Sequence, residues 1–376
     1  MSLLSLTKHF ELIEDHRQAA KVTYPLFDVL FLSVVAVIAG SEGSEGSEGS
    51  EGWEDIEDFG HCHLELLKKY GDFSKGIPVH DTITRIISKV DPEALQQAFI
   101  SWMQATQQLT QGQVIAIDGK TLRGFYNREE RQSAIHMVNA FSVSNDVVMG
   151  QLKTDAKSNE ITAIPELLAL LDIKGALVTI DAMGTQADIT HTIIDKGADF
   201  LLAVKGNQSA LHQRVKEAFA AQSEEVENVT QIEAQRSRKE YREYQTIAAP
   251  KELIDAKWPT IRSFGKVMSY RVNKGKGTLQ TRYYISYAKL SAEELASAAR
   301  GHWAVGNQLH WVLDVTMNED ACHISRGDDA ENLLRLRQVT VNILKKEPSK
   351  LSLRRKRRLA AMNSAYLDKI VKNPPS

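Results

Sequence analysis

Cysteine is nearly absent from this chain: only Cys62 and Cys322 occur in 376 residues, too few for a disulfide framework, so a reducing cytoplasm is the expected compartment. Long apolar runs are missing as well. The longest, VLFLSVVAVIA from Val29 to Ala39, falls well short of the roughly 20 residues a membrane-spanning helix needs and is expected to be a buried helix instead. The first residues, MSLLSLTKHFELIEDHR, lack the basic, apolar, small-residue order of a secretory signal, and neither export nor a membrane is expected. Neither sign of charge dominates: 46 basic and 48 acidic residues leave a net charge of -2. No global field draws the protein to nucleic acid, and any such contact must come from local patches. What remains is an ordinary globular composition, 43% apolar and 25% charged, long enough for two or three domains.

Residues 1–107 read as a helical N-terminal domain, with Leu4, Leu6, Phe10 and Ile13, and again Thr82, Ile83, Ile86 and Ile87, recurring near helical spacing. Within it, four copies of Ser-Glu-Gly over residues 41–52 are too polar and glycine-rich to pack, and are expected to form a surface loop without chemistry. From Gln113 the pattern changes to short β-branched runs: VIAID (114–118), AIHMVNAFSV (134–143), DVVMGQLKT (146–154), ALVTID (176–181) and DFLLAVK (199–205). Asn145-Asp146 marks a hairpin turn, and helical periods at 164–171 and 187–197 separate the later strands. The order β-β-β-α-β-α-β predicts an α/β domain over about 112–346, a mixed sheet with helices packed on it. Residues 225–290 alternate and carry turn signals, including the KGKG of 274–277, and read as a β-rich insertion. Helix resumes at Ser291, whose offset from Glu294 is that of a capping box. A basic tail, 347–376, contains RRKRR at 354–358, which reads as a solvated helix face or a phosphate contact.

Two aspartates end otherwise apolar strands: Asp118 in VIAIDGK and Asp181 in ALVTIDAM. A carboxylate there is costly unless paired or bound to a cation; the plain alternative is that each caps the following turn. If the first and fourth strands are neighbours, the two carboxylates converge at one edge of the sheet, where α/β proteins collect their ligands. Hard oxygen donors of this kind suit Mg²⁺ and phosphoryl transfer. A third acid is expected on the late helix, yet His302, 306, His310 and Asp314, which share a face at i,i+4 steps, place Gly306 where a side chain would be needed. Trp303 and Trp311 on the same helix read as core. His61, Cys62 and His63 are adjacent and have no partner cluster, so zinc is not expected.

The motifs GWEDIEDFG (52–60), GIPVHDTI (76–83), VIAIDGKTLRG (114–124), KTDAKSNEITAIPELL (153–168), TIDAMGTQ (179–186), AVKGNQ (203–208), RYYIS (282–286), HWAVGNQLHWVLDV (302–315) and NEDACHI (318–324) resemble those of the H-repeat-associated proteins of Rhs elements, a group of ISAs-type insertion-sequence transposases with a DDE catalytic domain. The resemblance implies a ribonuclease-H-like fold, two Mg²⁺ ions as cofactors, and double-stranded DNA at element ends as the partner. It places the triad on Asp118, Asp181 and a glutamate in His-Trp-x-Ile/Val-Glu-Asn-x-Leu-His-Trp. That glutamate is Gly306 in this chain. The implied activity is metal-dependent cleavage and strand transfer, impaired by this departure, with Asp314, Glu319 and Asp320 poorly placed to substitute. Lys120, Arg123, Lys205, Asn207 and His302 are candidate DNA contacts. Two other readings stay open, a catalytically inactive DNA-binding remnant and a ribonuclease-H-like metal-dependent nuclease, and a homodimer is neither required nor excluded.

Overall fold

The computed structural model describes residues 2–41, 53–122, 135–154, 160–221, 226–235, 238–273, 275–319 and 328–372. Most of the Ser-Glu-Gly tract, together with Arg123, Asp320 and Cys322, lies outside them. Helix α1 (Leu3–Thr7) opens with a reciprocal cap between Ser2 and Ser5. The long apolar run becomes α2 (Leu26–Ala39), buried at every position from Asp28 on and closed by Gly40 in the left-handed region at φ 89°. Asp28 tolerates burial because its carboxylate accepts the backbone N–H groups of Asp72 and Phe73 at 3.1 and 2.9 Å. Helices α3 (Trp53–Leu67), kinked at His63, α4 (His80–Ile87) and α5 (Pro92–Thr106) complete the N-terminal region. Asp91 caps α5 and Pro92 fills its first turn, where no amide partner is needed.

The expected strand order is present: β1 (Val114–Leu122), β2 (Ile135–Ser142), β3 (Val147–Lys153), α6 (Glu160–Leu170), β4 (Leu177–Ile180), α7 (Ala187–Asp195) and β5 (Asp199–Val204). Strands β1 to β3 form an antiparallel meander, while β1, β4 and β5 are parallel. Helix α8 (Ser209–Ala221) leads to β6 (Glu227–Gln235), β7 (Arg238–Ala248), β8 (Ser263–Asn273) and β9 (Lys276–Ser286). These four strands, anticipated as an insertion, lengthen the same sheet. β9 pairs antiparallel with β5 from Leu201↔Ser286 to Val204↔Tyr283, giving nine strands in the order β3-β2-β1-β4-β5-β9-β8-β7-β6. Pairing with β9 saves β5, whose Phe200 to Val204 are buried, from being an apolar edge.

The remaining helices are α9 (Ala292–Val305), which starts with the expected Ser291/Glu294 capping box, a π-helical turn at Gly306–His310, α10 (Trp311–Thr316), α11 (Asp329–Lys346), α12 (Leu353–Met362) and α13 (Ser364–Lys372). Helix α11 packs between the N-terminal helices and β3 and is buried around its whole circumference despite its polar sequence. Its amides explain this: Asn342 donates to the Val148 carbonyl at 2.8 Å and accepts its N–H at 2.9 Å, covering the edge strand. Asn332 donates to the carbonyls of Ile87 and Val90. The larger apolar core runs from Leu3 to Val371, and a second cluster gathers Leu177, Leu201, Tyr284 and Leu295.

The basic tail departs from the solvated face anticipated for it. Lys356 and Arg357 are buried. The Lys356 ammonium donates to the Leu344 and Glu347 carbonyls and pairs with the Glu347 carboxylate. The Arg357 guanidinium donates to the carbonyls of Thr316 and Val37. Both therefore satisfy carbonyls at helix C-termini, where positive charge is favoured; Arg354, Arg355 and Arg358 stay exposed. No helix among the described residues is long and apolar enough to cross a membrane.

Candidate active site

Parallel pairing of β1 with β4 ends at Ile117↔Ile180, so Asp118 and Asp181 follow at equivalent positions on neighbouring strands. Asp118 is not a strand terminus, because β1 continues to Leu122 against β2; it stands where the parallel ladder stops. The two carboxylates differ in support. Asp181 accepts the N–H groups of Met183 and Gly184 at 2.9 and 3.3 Å, an Asx turn that fixes its orientation. Among the described residues Asp118 accepts the Gly119 N–H alone, at 3.0 Å. Burial, with the neighbouring Asp181 and Glu160 charges adding to it, pushes the Asp118 carboxyl up to about 7.

Glu160 went unnoticed as a site residue in the sequence, although it sits inside the motif KTDAKSNEITAIPELL. It opens α6, and its carboxyl lies against Gly119: a Cβ on residue 119 would stand 1.9 Å from Glu160 Oε1. Glycine at 119 therefore makes room for this carboxylate on the face of β1 opposite to the Asp118 side chain. Burial and the Asp181 charge raise the Glu160 carboxyl, opposed by His136.

Helix α9 carries His302 and leads into the turn that carries His310. Buried Gly301 packs against Val143 and Val114, which brings the helix close to the sheet. His302 Nδ1 lies 3.1 Å from Thr179 Oγ1. Burial holds the ring down to about 4, against the Asp181 charge that favours protonation, so it is neutral near pH 7. His310 is also held down to about 4, by burial and then Lys120; its Nδ1 is 3.6 Å from Asp118 and its buried Nε2 has no hydrogen-bond partner among the described residues. Gly306 falls between them and begins the π turn, which replaces the regular i,i+4 face anticipated in the sequence. Its backbone is helical, φ -57° and ψ -39°, and a Cβ added there meets nothing within 4 Å.

Other candidates resolve differently. The Lys120 ammonium, anticipated as a phosphate contact, is bound by both Asp314 and Glu319, and its side chain is 8% exposed. Those two acids, considered as substitutes at position 306, are thus committed to Lys120. Lys205 is exposed at the end of β5. Asn207 donates to the Ala182 carbonyl at 2.5 Å, tying its loop to the one after Asp181. Trp303 and Trp311 are not core: they are 50% and 56% exposed. Trp303 lies under the Arg282 guanidinium at 4.4 Å, and Asp181, Lys205, Arg282, His302 and Trp303 border one shallow pocket. His63, rejected as a zinc ligand, is buried between Ser364 and the Ala361 carbonyl.

Among the described residues no three His, Cys, Asp or Glu side chains form a ready coordination shell. The donor types still suit a divalent cation: the Asp118 and Asp181 carboxylates offer hard oxygens, and the Asp181 charge raises the Asp118 carboxyl.

Residues 109–343 match the family model described as "Transposase DDE domain", and residues 7–103 match its companion, described as "DDE_Tnp_1-associated". The chain is 46% identical over 380 residues to "Putative transposase YncI" of Escherichia coli O157:H7, covering 99% of this chain and 95% of that protein. It is 45% identical over 381 residues to "H repeat-associated putative transposase YhhI" of Escherichia coli K12, covering 99% and 98%.

Proposed function

The chain belongs to the transposase DDE domain family, and from that premise we propose that it cleaves and joins double-stranded DNA at the ends of a mobile element, on a ribonuclease-H-like sheet, with an efficiency lowered by Gly306. The observation that carries this reading is the equivalent placement of Asp118 and Asp181 where the parallel β1–β4 ladder ends.

In this proposal Asp118 and Asp181 hold the family's divalent cations, Mg²⁺ in the cell. Bound there, the metal supplies Lewis-acid activation of the attacking oxygen and charge neutralisation at the phosphate. The Asx turn fixes the Asp181 carboxylate. Neutral His302 and His310 wall the carboxylates without adding competing positive charge. Lys205 and Arg282, beside Asp181, meet the DNA backbone, and Asn207 positions the intervening loop. Lys120 acts by holding the α10 end against β1. In the first step water oxygen bonds to phosphorus, the bond to the 3′ oxygen breaks, and that oxygen leaves as a hydroxyl. In the second, this hydroxyl attacks a target phosphodiester and displaces another 3′ oxygen.

One observation favours a weakened centre. Position 306 offers helical backbone and open space but no carboxylate. The test is Mn²⁺- and Mg²⁺-dependent nicking of DNA carrying the ends that flank the gene, by the unmodified protein, Gly306→Glu and Gly306→Glu/Asp118→Ala. Strong cutting by Gly306→Glu alone, abolished by Asp118→Ala, is expected. No cutting by any of the three, with salt-sensitive DNA binding retained, makes the protein a DNA-binding remnant. Cutting without preference for element ends makes it a nuclease.

A further inference from the structure

We infer that the exposed face of α12 is a DNA contact surface, on which Arg354, Arg355 and Arg358 bind backbone phosphates of the duplex flanking the cleavage point. The inference rests on the functional reading above and adds a surface outside the carboxylate site. Its foundation is the way burial divides the run RRKRR. Ser352 caps the helix by accepting the Arg355 N–H. At about 100° per residue, Lys356, Arg357 and Ala360 cover an arc of about 100° and are buried, while Arg354, Arg358, Met362 and Arg355 cover a similar arc on the opposite side and are exposed. The two buried cations hold the helix to the carbonyls of Leu344, Glu347, Thr316 and Val37, so the three arginines are presented from a fixed support.

This face is unfavourable for the chain on its own. From Pro348 to Leu367 the sequence holds no Asp or Glu, and the acids on either side are committed elsewhere, Glu347 to Lys356 and Asp368 to Lys372. Among the described residues none of the three arginines is ion-paired. Arg354 and Arg355 stand in the first turn, at the end of the helix dipole that disfavours positive charge, and Arg358 adds a like charge at i,i+4 and i,i+3 from them. A polyanion relieves all of this. Duplex DNA suits the arc: Arg354 to Arg358 spans about 6 Å of helix axis, against one phosphate per roughly 3.4 Å along each strand, and the guanidinium fork matches phosphate oxygens. The helix also lies near the chemistry. Lys345, in the last turn of α11, donates to the Gln308 carbonyl of the π turn at 2.8 Å, and the same turn carries His310, whose Nδ1 is 3.6 Å from Asp118.

The experiment measures binding of the full chain to two labelled duplexes, one carrying the ends that flank the gene and one unrelated, by fluorescence anisotropy in chelator between about 50 and 200 mM salt. Three variants are compared with the unmodified protein: Arg354→Gln/Arg355→Gln/Arg358→Gln, the same triple to Lys, and Lys174→Gln/Lys251→Gln/Lys276→Gln, which removes equal charge from exposed positions elsewhere. Urea unfolding checks that each is folded. The arginine-to-glutamine triple is expected to lower affinity about tenfold or more and to flatten the slope of log K against log salt by about 2–3. Both duplexes should lose equally, because phosphate contacts read no sequence. The lysine triple should keep most of the slope, and the control triple all of it. An unchanged slope in the folded arginine-to-glutamine triple, or the same loss in the control, overturns the role of α12 and leaves the functional reading intact. Absence of binding by the unmodified protein to either duplex overturns both.

Discussion

Arg357 donates to the carbonyl of Val37 at 3.1 Å, joining the penultimate helix to the end of α2, and the same guanidinium also reaches the Thr316 carbonyl at the end of α10. One side chain thus donates to terminal carbonyls of two helices that are distant in sequence, that of Val37 also accepting the Gly40 N–H. Replacing it with methionine fills the volume but leaves those carbonyls without their charged donor, and a loss of about 2 kcal/mol is expected in urea unfolding. Arg354→Ala and Arg358→Ala, on the exposed side of the same run, should change stability by no more than about 0.5 kcal/mol.

The strand order and the two aspartates were legible because apolar β-branched runs broken by acids have a strong period and a costly ending. The π turn was not. A helical wheel assumes 3.6 residues per turn, so the face drawn through His302, Gly306, His310 and Asp314 slips at the π turn over Gly306–His310. The contact of Glu160 with residue 119 escaped because it joins elements 41 positions apart and leaves no local pattern. Charge runs misled in the same way: RRKRR looks uniform in sequence, yet Lys356 and Arg357 are buried only because three helices end beside them.

Lys120, Asp314 and Glu319 form a pairing whose partners are nearly enclosed, with side-chain exposures of 8%, 33% and 3%. Removing the cation leaves Glu319 charged in the interior, or forces it to take up a proton, as burial already tends to do. Lys120→Met is therefore expected to cost about 3 kcal/mol, the lower end for a broken buried pair, because Arg337 also lies near Glu319. Adding Glu319→Gln should restore more than half of that loss. Chemical denaturation of the single and double variants checks both.

His63 packs against Phe59 with ring centroids 4.5 Å apart, and its ring nitrogens meet Ser364 Oγ and the Ala361 carbonyl. Burial lowers its proton affinity below the usual 6.5. A histidine depressed in the folded state stabilises fully above its unfolded value and loses that contribution as pH falls through the folded one. Thermal midpoints should therefore drop between pH 7.5 and 5, and His63→Gln, which cannot titrate, should show a smaller drop over the same interval. Equal drops in the two proteins would assign the acid sensitivity to other groups.

Asp118 carries the opposite sign. Its carboxyl is raised from 3.8 to about 7, so between those limits the folded chain binds more protons than the unfolded one, and stability is lost as pH rises toward 7 and beyond. Its side chain keeps 32% of its surface in water, which screens part of this, and a cost of about 1–2 kcal/mol at pH 8 is a reasonable scale. Asp118→Asn cannot ionise. In the presence of a chelator it should melt higher than the unmodified protein at pH 8 and close to it at pH 4. Adding Mn²⁺ at pH 8 should then raise the unmodified protein and leave Asp118→Asn where it was, because the repulsion that costs stability in one is what binds the cation, and the other no longer has it.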